Sequence, residues 1–305
     1  MIPLRLELPE LHQHHRLQRL LDSRVPEVGL ANQATDRGPL WPASFFQLDR
    51  SQIFQEATVE ERSAILAGCS RAILEEAFWI EKCGMYFAPK MALMAESLET
   101  QMLYCQFAAE EATHFQLISQ FLGLTTVSSP SENPFVTFLA QILETESPAV
   151  LQFLIQVVLE GWGIAHYRNL AKACLMPDFG GVLERILKDE ARHHGSGVVL
   201  CSERMFAAPA LDRIAEIVMV FLRMIQIGPV MVLGQVEQVK GHLSLSQKSR
   251  LYCELDAEES TLRKLRLIQN LIRAVPATSN LVETLDAKGC FTPGRATFGD
   301  SLPVW

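Results

Sequence analysis

Two short segments of the chain pair a glutamate with a histidine at a spacing that can bind a metal ion. Glu111 and His114 form one pair, Glu190 and His193 the other, and both read Glu-x-x-His. On an α-helix, residues three apart leave the same face about one turn apart, so both side chains can reach one ion. A single Glu-x-x-His is a weak signal, because helical proteins rich in glutamate contain many by chance. Two copies in one chain predict metal binding.

Each pair lies within an apolar stripe of a predicted helix. Tyr104, Phe107 and Ile118 share the face of the first pair, and Leu183 and Ile186 precede the second at the same spacing. Burying an ionised carboxylate without a partner costs several kcal/mol or forces the group to become neutral. Acids within two such stripes therefore indicate a shared positive charge, which a metal ion would supply.

A dinuclear metal site in a four-helix bundle takes one Glu from each of two helices and Glu-x-x-His from each of the other two. Glu160 meets the first requirement, because it follows a long apolar run and precedes Glu190 by 30 residues. That interval fits two antiparallel helices joined by the turn at residues 176–181, which contains Pro and Gly.

The remaining acid is Glu76 or Glu81. Glu76 follows apolar residues at core spacing, and the quality of this stripe makes it the preferred candidate. Glu81 is the alternative, because it precedes Glu111 by 30 residues, the interval that also separates Glu160 from Glu190.

With these residues in order, the chain resembles the ferritin-like non-haem di-iron carboxylate superfamily over residues 58–200. The sequence Asp-Glu-Ala-Arg-His at residues 189–193 most resembles the motif of the oxygenase branch, particularly that of the arylamine N-oxygenases typified by p-aminobenzoate N-oxygenase. That group has a further His ligand one turn before the last Glu, where this chain has Ile186, so N-oxygenation is less supported than a di-iron site. The resemblance implies six metal ligands: Glu76, Glu111, His114, Glu160, Glu190 and His193.

Two neighbouring residues are candidates for supporting roles at this site. Asp189 could accept the outer N–H of a histidine ligand on the opposite helix and so fix the ring, although an ion pair with Arg192 is the alternative. His194 could replace His193, but only the three-residue spacing occurs in both motifs.

The resemblance implies an enzyme that activates O2 at two Fe ions, or at a Mn/Fe pair, and hydroxylates, N-oxygenates or desaturates a small organic substrate. An external electron donor, either a ferredoxin or a flavin reductase, would then be a partner, and a homodimer is compatible with the sequence. The alternatives are ferritin-like iron oxidation and storage, and a helical scaffold without metal. The roughly 100 residues after the bundle argue against a compact cage subunit.

Composition narrows the partners and the compartment. The 305 residues carry a net charge of −8 and no Lys/Arg cluster, which disfavours nucleic-acid binding. Seven widely spaced cysteines without Cys-x-x-Cys, and a start without an apolar signal segment, favour reduced thiols and the cytoplasm. The apolar residues 214–234 are interrupted by charged residues and Pro229, so we expect a buried helix and no membrane partner.

The helical periodicity predicts an all-α fold, a ferritin-like four-helix bundle with additional helices. We expect an N-terminal wrapping arm (1–57), the di-iron bundle (58–205), additional helices of the same domain (206–275) and a tail (276–305). The first predicted helix spans residues 58–87, and Pro89 closes or kinks it. Ser97 caps the second predicted helix. The remaining predicted helices span residues 134–144, 148–175, 182–205, 214–234 and 243–275.

Overall fold

The computed structural model describes residues 38–122 and 133–294, together with Arg16, Leu17 and Leu21. Every regular element in these residues is helical, which confirms the predicted all-α class. We number the helices α1 (Gln52–Gln55), α2 (Val59–Leu93), α3 (Leu98–Leu122), α4 (Pro134–Thr145), α5 (Pro148–Ala173), α6 (Pro177–Glu203), α7 (Ala208–Gln226), α8 (Val230–Lys240), α9 (Leu245–Glu254), α10 (Ala257–Arg273) and α11 (Leu281–Ala287). Short 3-10 turns lie at Leu48–Arg50 and Pro276–Thr278.

The described chain forms two compact units. Residues 71–122 and 133–148 belong to the first unit, and residues 38–70 and 149–294 belong to the second. The predicted division into an arm (1–57), a bundle (58–205), additional helices (206–275) and a tail (276–305) stays a prediction. The predicted arm, residues 1–57, falls largely outside the described residues.

Side-chain caps begin α2 and α3 where the sequence predicts them. The Thr58 hydroxyl accepts from the N–H of Glu61 at 3.2 Å, and the Glu61 carboxylate accepts from the N–H of Thr58 at 2.8 Å. The two residues therefore form a capping box. Ser97 accepts from the N–H of Thr100 at 3.1 Å. The predicted end of the first helix near residue 87 is wrong, because α2 continues through Pro89 to Leu93. Pro89 removes one backbone bond but lies exposed, where the ring does not disturb the core.

In the first unit, α4 is fixed to α2 at both of its ends. Asn133 caps α4 by accepting from the N–H groups of its first turn, and its Nδ2 donates to Glu76 Oε2 at 3.0 Å. At the other end, Lys90 Nζ donates to the carbonyl oxygens of Leu143 and Glu146 at 2.6 and 3.3 Å. Lys90 thereby satisfies carbonyls that the helix itself leaves without partners.

In the second unit, α5 packs against α6 along its length, and α10 contacts both α5 and α7. The C-terminal end of α5 is closed by residues far away in sequence. Trp41 is fully buried and donates from Nε1 to the carbonyl oxygen of Leu170 at 2.9 Å. Next to it, the Leu40 carbonyl accepts from the N–H of Leu175 at 2.9 Å.

We expect Trp41→Phe to lower the free energy of unfolding by about 1–3 kcal/mol, because the buried Leu170 carbonyl would lose its donor. Urea unfolding of the variant and the wild type would measure the difference. Phenylalanine keeps an aromatic ring beside Phe45 and Phe179, so most of the packing should survive. Equal stability of the two proteins would show that the Trp41 bond does not hold this helix end.

Two of the long predicted helices are interrupted by residues in the left-handed backbone region. The predicted helix 214–234 is divided into α7 and α8 around Gly228, which has φ of +84° and precedes Pro229. The predicted helix 243–275 is divided into α9 and α10 at Asp256, with φ of 48°. The predicted opening by Ser244 is confirmed, because Ser244 and Gln247 form a capping box. Neither interruption is visible as a change in hydrophobic period.

Two helical stretches, Pro148–Ala173 and Ala208–Lys240, are long and apolar enough to cross a membrane by length and composition. This is weak support for a membrane location, because core helices of soluble proteins pass the same test. The first stretch has 56% of its most apolar window buried inside the protein and the second 33%. The first stretch is therefore the more buried of the two.

Candidate metal centre

Three residues of the first unit form a buried group of metal-ligand type, which we call the first cluster: Glu81, Glu111 and His114. They are 2%, 6% and 0% exposed. Each offers one ligand atom, and these atoms all lie within 4.8 Å of one another. The Nδ1 atom of His114 is 3.3 Å from Glu81 Oε2. The cluster could hold a metal ion.

A glycine makes room for the Glu111 carboxylate. Gly84 lies one turn after Glu81 on α2, and a Cβ added to it would overlap the carboxyl group of Glu111 on α3. Such a Cβ would also lie 3.1 Å from the Glu111 Cγ. The backbone of α2 thus forms one wall of the first cluster, and only glycine lets the carboxylate lie against it. Gly84 is not among the residues predicted from the sequence, although it follows Glu81 by three residues and so lies on the same face of the helix.

Glu76 and Glu81, the two candidates for the remaining acid, lie in different surroundings. Glu81 lies in the first cluster, whereas Glu76 is half-buried and accepts the hydrogen bond from Asn133 that fixes the start of α4. The two acids are five residues apart, which turns their side chains about 140° away from each other around a helix. Only one of them can therefore face α3, and which of the two acids binds metal stays a prediction.

Cys83 adjoins the first cluster but does not resemble a ligand. Burial, together with the negative charge of Glu111, raises the pKa of the Cys83 thiol to about 12. Its sulfur is not among the grouped ligand atoms, which are carboxylate oxygens and an imidazole nitrogen. The first cluster therefore offers oxygen and nitrogen ligands.

Three residues of the second unit form a related group, the second cluster: Glu160, Glu190 and His193. Glu160 and His193 offer ligand atoms within 4.8 Å of each other, and His193 Nδ1 lies 3.9 Å from Glu190 Oε2. His193 is fully buried, Glu190 is 6% exposed and Glu160 is half-buried. As in the first cluster, the histidine turns Nδ1 toward a carboxylate.

A π-helical segment leads directly to Glu160. Residues Gln152–Leu159 of α5 are wound as a π-helix, and the N–H of Glu160 bonds the Ile155 carbonyl, five residues earlier. Such segments are rare and occur frequently at functional sites. Beyond it, a Cβ at Gly161 would lie 2.6 Å from Leu271 and 2.8 Å from the His194 ring, so this glycine permits close helix packing. At Gly163 a Cβ would meet nothing within 4 Å.

The other candidates near the second cluster have partners of their own. His194 donates from Nδ1 to the carbonyl oxygen of Gln156 at 2.9 Å, since a carbonyl can only accept. This places His193, not His194, in the cluster. Asp189 forms an ion pair with Arg192 at 2.6 Å, which is the alternative predicted from the sequence. A bond from Asp189 to a histidine ligand stays a prediction.

The charge of each cluster suits one divalent ion. Each contains two carboxylates and one imidazole, so with both acids ionised and the ring neutral it carries two negative charges. Carboxylate oxygen and imidazole nitrogen together suit iron and manganese better than copper(I), which prefers sulfur. The side chains present therefore fit the metal ions that the sequence analysis predicts.

The resemblance to the ferritin-like di-iron superfamily rests on the Glu-x-x-His pairs and the further Glu residues alone. No protein-family model, curated protein or solved structure matches this chain. A ferritin-like di-iron assignment is therefore a proposal for this protein, and the two buried clusters are the observations that support it.

Proposed function

We propose that this protein is a non-haem di-iron oxidase or oxygenase, folded as a ferritin-like four-helix bundle with additional helices. The observation that carries the proposal is the repetition of one buried arrangement. Each unit combines a Glu-x-x-His pair with one further Glu, and each histidine directs Nδ1 toward a carboxylate. This is the ligand composition of dinuclear carboxylate sites in four-helix bundles.

In this proposal each cluster binds one iron ion. Glu81, Glu111 and His114 would hold one ion, and Glu160, Glu190 and His193 would hold the other. Because Nδ1 of each histidine faces the acids, the ring proton must lie on Nε2 for Nδ1 to bind a metal. The four carboxylates balance the charge of two divalent ions, which removes the cost of burying them.

A pair of reduced iron ions would supply the electrons for reaction with O2, and the protein supplies binding and orientation. His114 and His193 are fully buried, which keeps bulk water away from their rings. Aromatic rings lie close to the first cluster along the chain, where Phe78 packs against Trp79 and Phe115. We propose a small organic substrate and an external electron donor, either a ferredoxin or a flavin reductase.

The test is anaerobic loading with Fe(II) and elemental analysis, followed by stopped-flow absorption after mixing with O2. Two irons per chain and a transient visible band would support an O2-activating centre and justify a substrate screen beginning with aryl and alkyl amines. Oxidation without a transient band, followed by uptake of more iron, would favour iron storage instead. A protein that binds no iron would overturn the proposal in favour of a scaffold.

Replacing His193 tests whether the second cluster binds one of the iron ions. We expect His193→Ala to retain about one iron per chain, because the second ion loses its only nitrogen ligand. His242→Ala is the control, since that side chain is 86% exposed and lies outside both clusters. Equal iron content in His193→Ala and the control would contradict the assignment.

A further inference from the structure

Gln156 is a polar side chain buried within the π-helical segment of α5. It is 0% exposed, and its neighbours from Phe153 to Val158 are apolar and buried. Its Nε2 donates to the backbone carbonyl of His193 at 3.2 Å. Ser196 Oγ also donates to this carbonyl, at 2.8 Å. The backbone of a proposed metal ligand is thus held by two side chains.

A second bond runs in the opposite direction. The backbone carbonyl of Gln156 accepts from His194 Nδ1 at 2.9 Å. Gln156 therefore bonds two successive residues of α6, one through its side chain and one through its backbone. Two bonds of opposite direction fix both the rotation and the translation of α6 relative to the π-helical segment.

The two backbones are also very close at this point. A Cβ added to Gly197 would overlap the Gln156 Cβ and lie 3.3–3.4 Å from the Gln156 backbone carbons. Gly197 lies one turn after His193, so the closest approach falls beside the ligand. The glycine thereby brings the Gln156 amide within reach of the His193 carbonyl.

Core packing alone does not explain a glutamine here. Burying a primary amide costs free energy unless it is hydrogen-bonded, and a Leu or Met would fill similar space without that cost. What the amide adds is direction, because it can bond only when α6 presents the His193 carbonyl at the correct angle. Glu160 lies four residues after Gln156 on α5, so the same contact sets the ligands of both helices.

We infer that Gln156 is a positioning residue of the second cluster, which holds the π-helical segment and α6 in the register that brings Glu160 and His193 together. The inference rests on the proposed function, because it concerns how a metal ion is bound. Residues that support metal ligands from outside commonly change metal affinity by about 10- to 100-fold when they are replaced.

The test is Co(II) titration of Gln156→Leu, followed by the visible bands of bound Co(II), with Co(II) standing in for Fe(II). We expect the second Co(II) ion to bind about 10- to 100-fold more weakly and with altered bands, while the first ion binds as in the wild type. Gln156→Met keeps a side chain of similar length and removes the donor. It should show the same loss, and it serves in place of Gln156→Leu if that variant does not fold.

Thr278→Val is the matched control. Thr278 is also fully buried in the second unit, and its hydroxyl donates to the backbone carbonyl of Ile272 at 2.8 Å. The variant loses the same kind of bond, so its melting temperature should fall similarly while both Co(II) ions bind normally. If Gln156→Leu matches this control in melting temperature, Co(II) affinity and bands, the inference is overturned. Wild-type protein that binds no Co(II) would instead refute the proposed function, and the inference with it.

Discussion

Replacing Glu81 by Gln is expected to weaken metal binding by at least about 100-fold, the upper end of the loss seen when mere supporting residues are replaced. Glu81 offers a buried carboxylate oxygen 3.3 Å from His114 Nδ1, and both belong to the first cluster. A neutral amide oxygen is a poorer ligand for a divalent ion and leaves one positive charge without its counter-charge. Titration with Fe(II) under anaerobic conditions would measure the change.

Glu76→Gln is the matched substitution, made five residues earlier on the same helix. We expect it to leave metal affinity unchanged, because Glu76 bonds Asn133 and lies outside the first cluster. It should instead lower stability by about 1 kcal/mol, since the bond that fixes the start of α4 loses its charge. Metal loss in Glu76→Gln with normal binding in Glu81→Gln would support the sequence-based preference for Glu76 and contradict a ligand role of Glu81.

The second large effect is expected from Gly84→Ala. Alanine in a helix interior normally stabilises a protein by about 1 kcal/mol relative to glycine. Here the new methyl group would overlap the Glu111 carboxylate, so Glu111 must turn away from the first cluster. We expect metal affinity to fall by about 10-fold or more, a loss comparable to that of replacing a supporting residue. The usual gain in thermal stability should be absent.

Gly234→Ala provides the control for this substitution. Gly234 lies within α8, and a Cβ there would meet nothing within 4 Å. The variant should therefore gain the ordinary helix stabilisation and keep full metal affinity. Calorimetry of the metal-free proteins and Fe(II) titration would separate the two contributions. Gly84→Ala behaving like Gly234→Ala would show that Glu111 does not need the space above Gly84.

Sequence periodicity was sufficient to predict the two Glu-x-x-His pairs as buried residues, because apolar neighbours at helical spacing define the face on which they lie. It was insufficient for the choice between Glu76 and Glu81. Both acids are flanked by apolar residues in a helix whose second half is buried on more than one side, so the stripe does not single out one of them. The 30-residue interval was more informative, since it reflects where two antiparallel helices bring their side chains level.

Some helix boundaries could also be predicted from the sequence, and others could not. Thr58 and Ser97 were predictable caps, because a hydroxyl side chain can bond the free N–H groups of a first turn. Asp256 was not, because its left-handed backbone interrupts a helix without disturbing the hydrophobic pattern on either side. The π-helical segment was also hidden. Its residues from Gln152 to Val158 are all buried, so no exposed face reveals the winding.

That segment also bears on how this protein tolerates changes in chain length. A one-residue deletion within an α-helix rotates everything beyond it by about 100°, which would turn Glu160 away from its cluster. The Gln152–Leu159 segment already contains more residues per turn than an α-helix does. A deletion there can be absorbed by rewinding the segment toward ordinary α-helix, with the downstream rotation partly cancelled. We therefore expect one-residue deletions in the π-helical segment to be tolerated better than deletions in α6, because residues 177–203 are wound as ordinary α-helix.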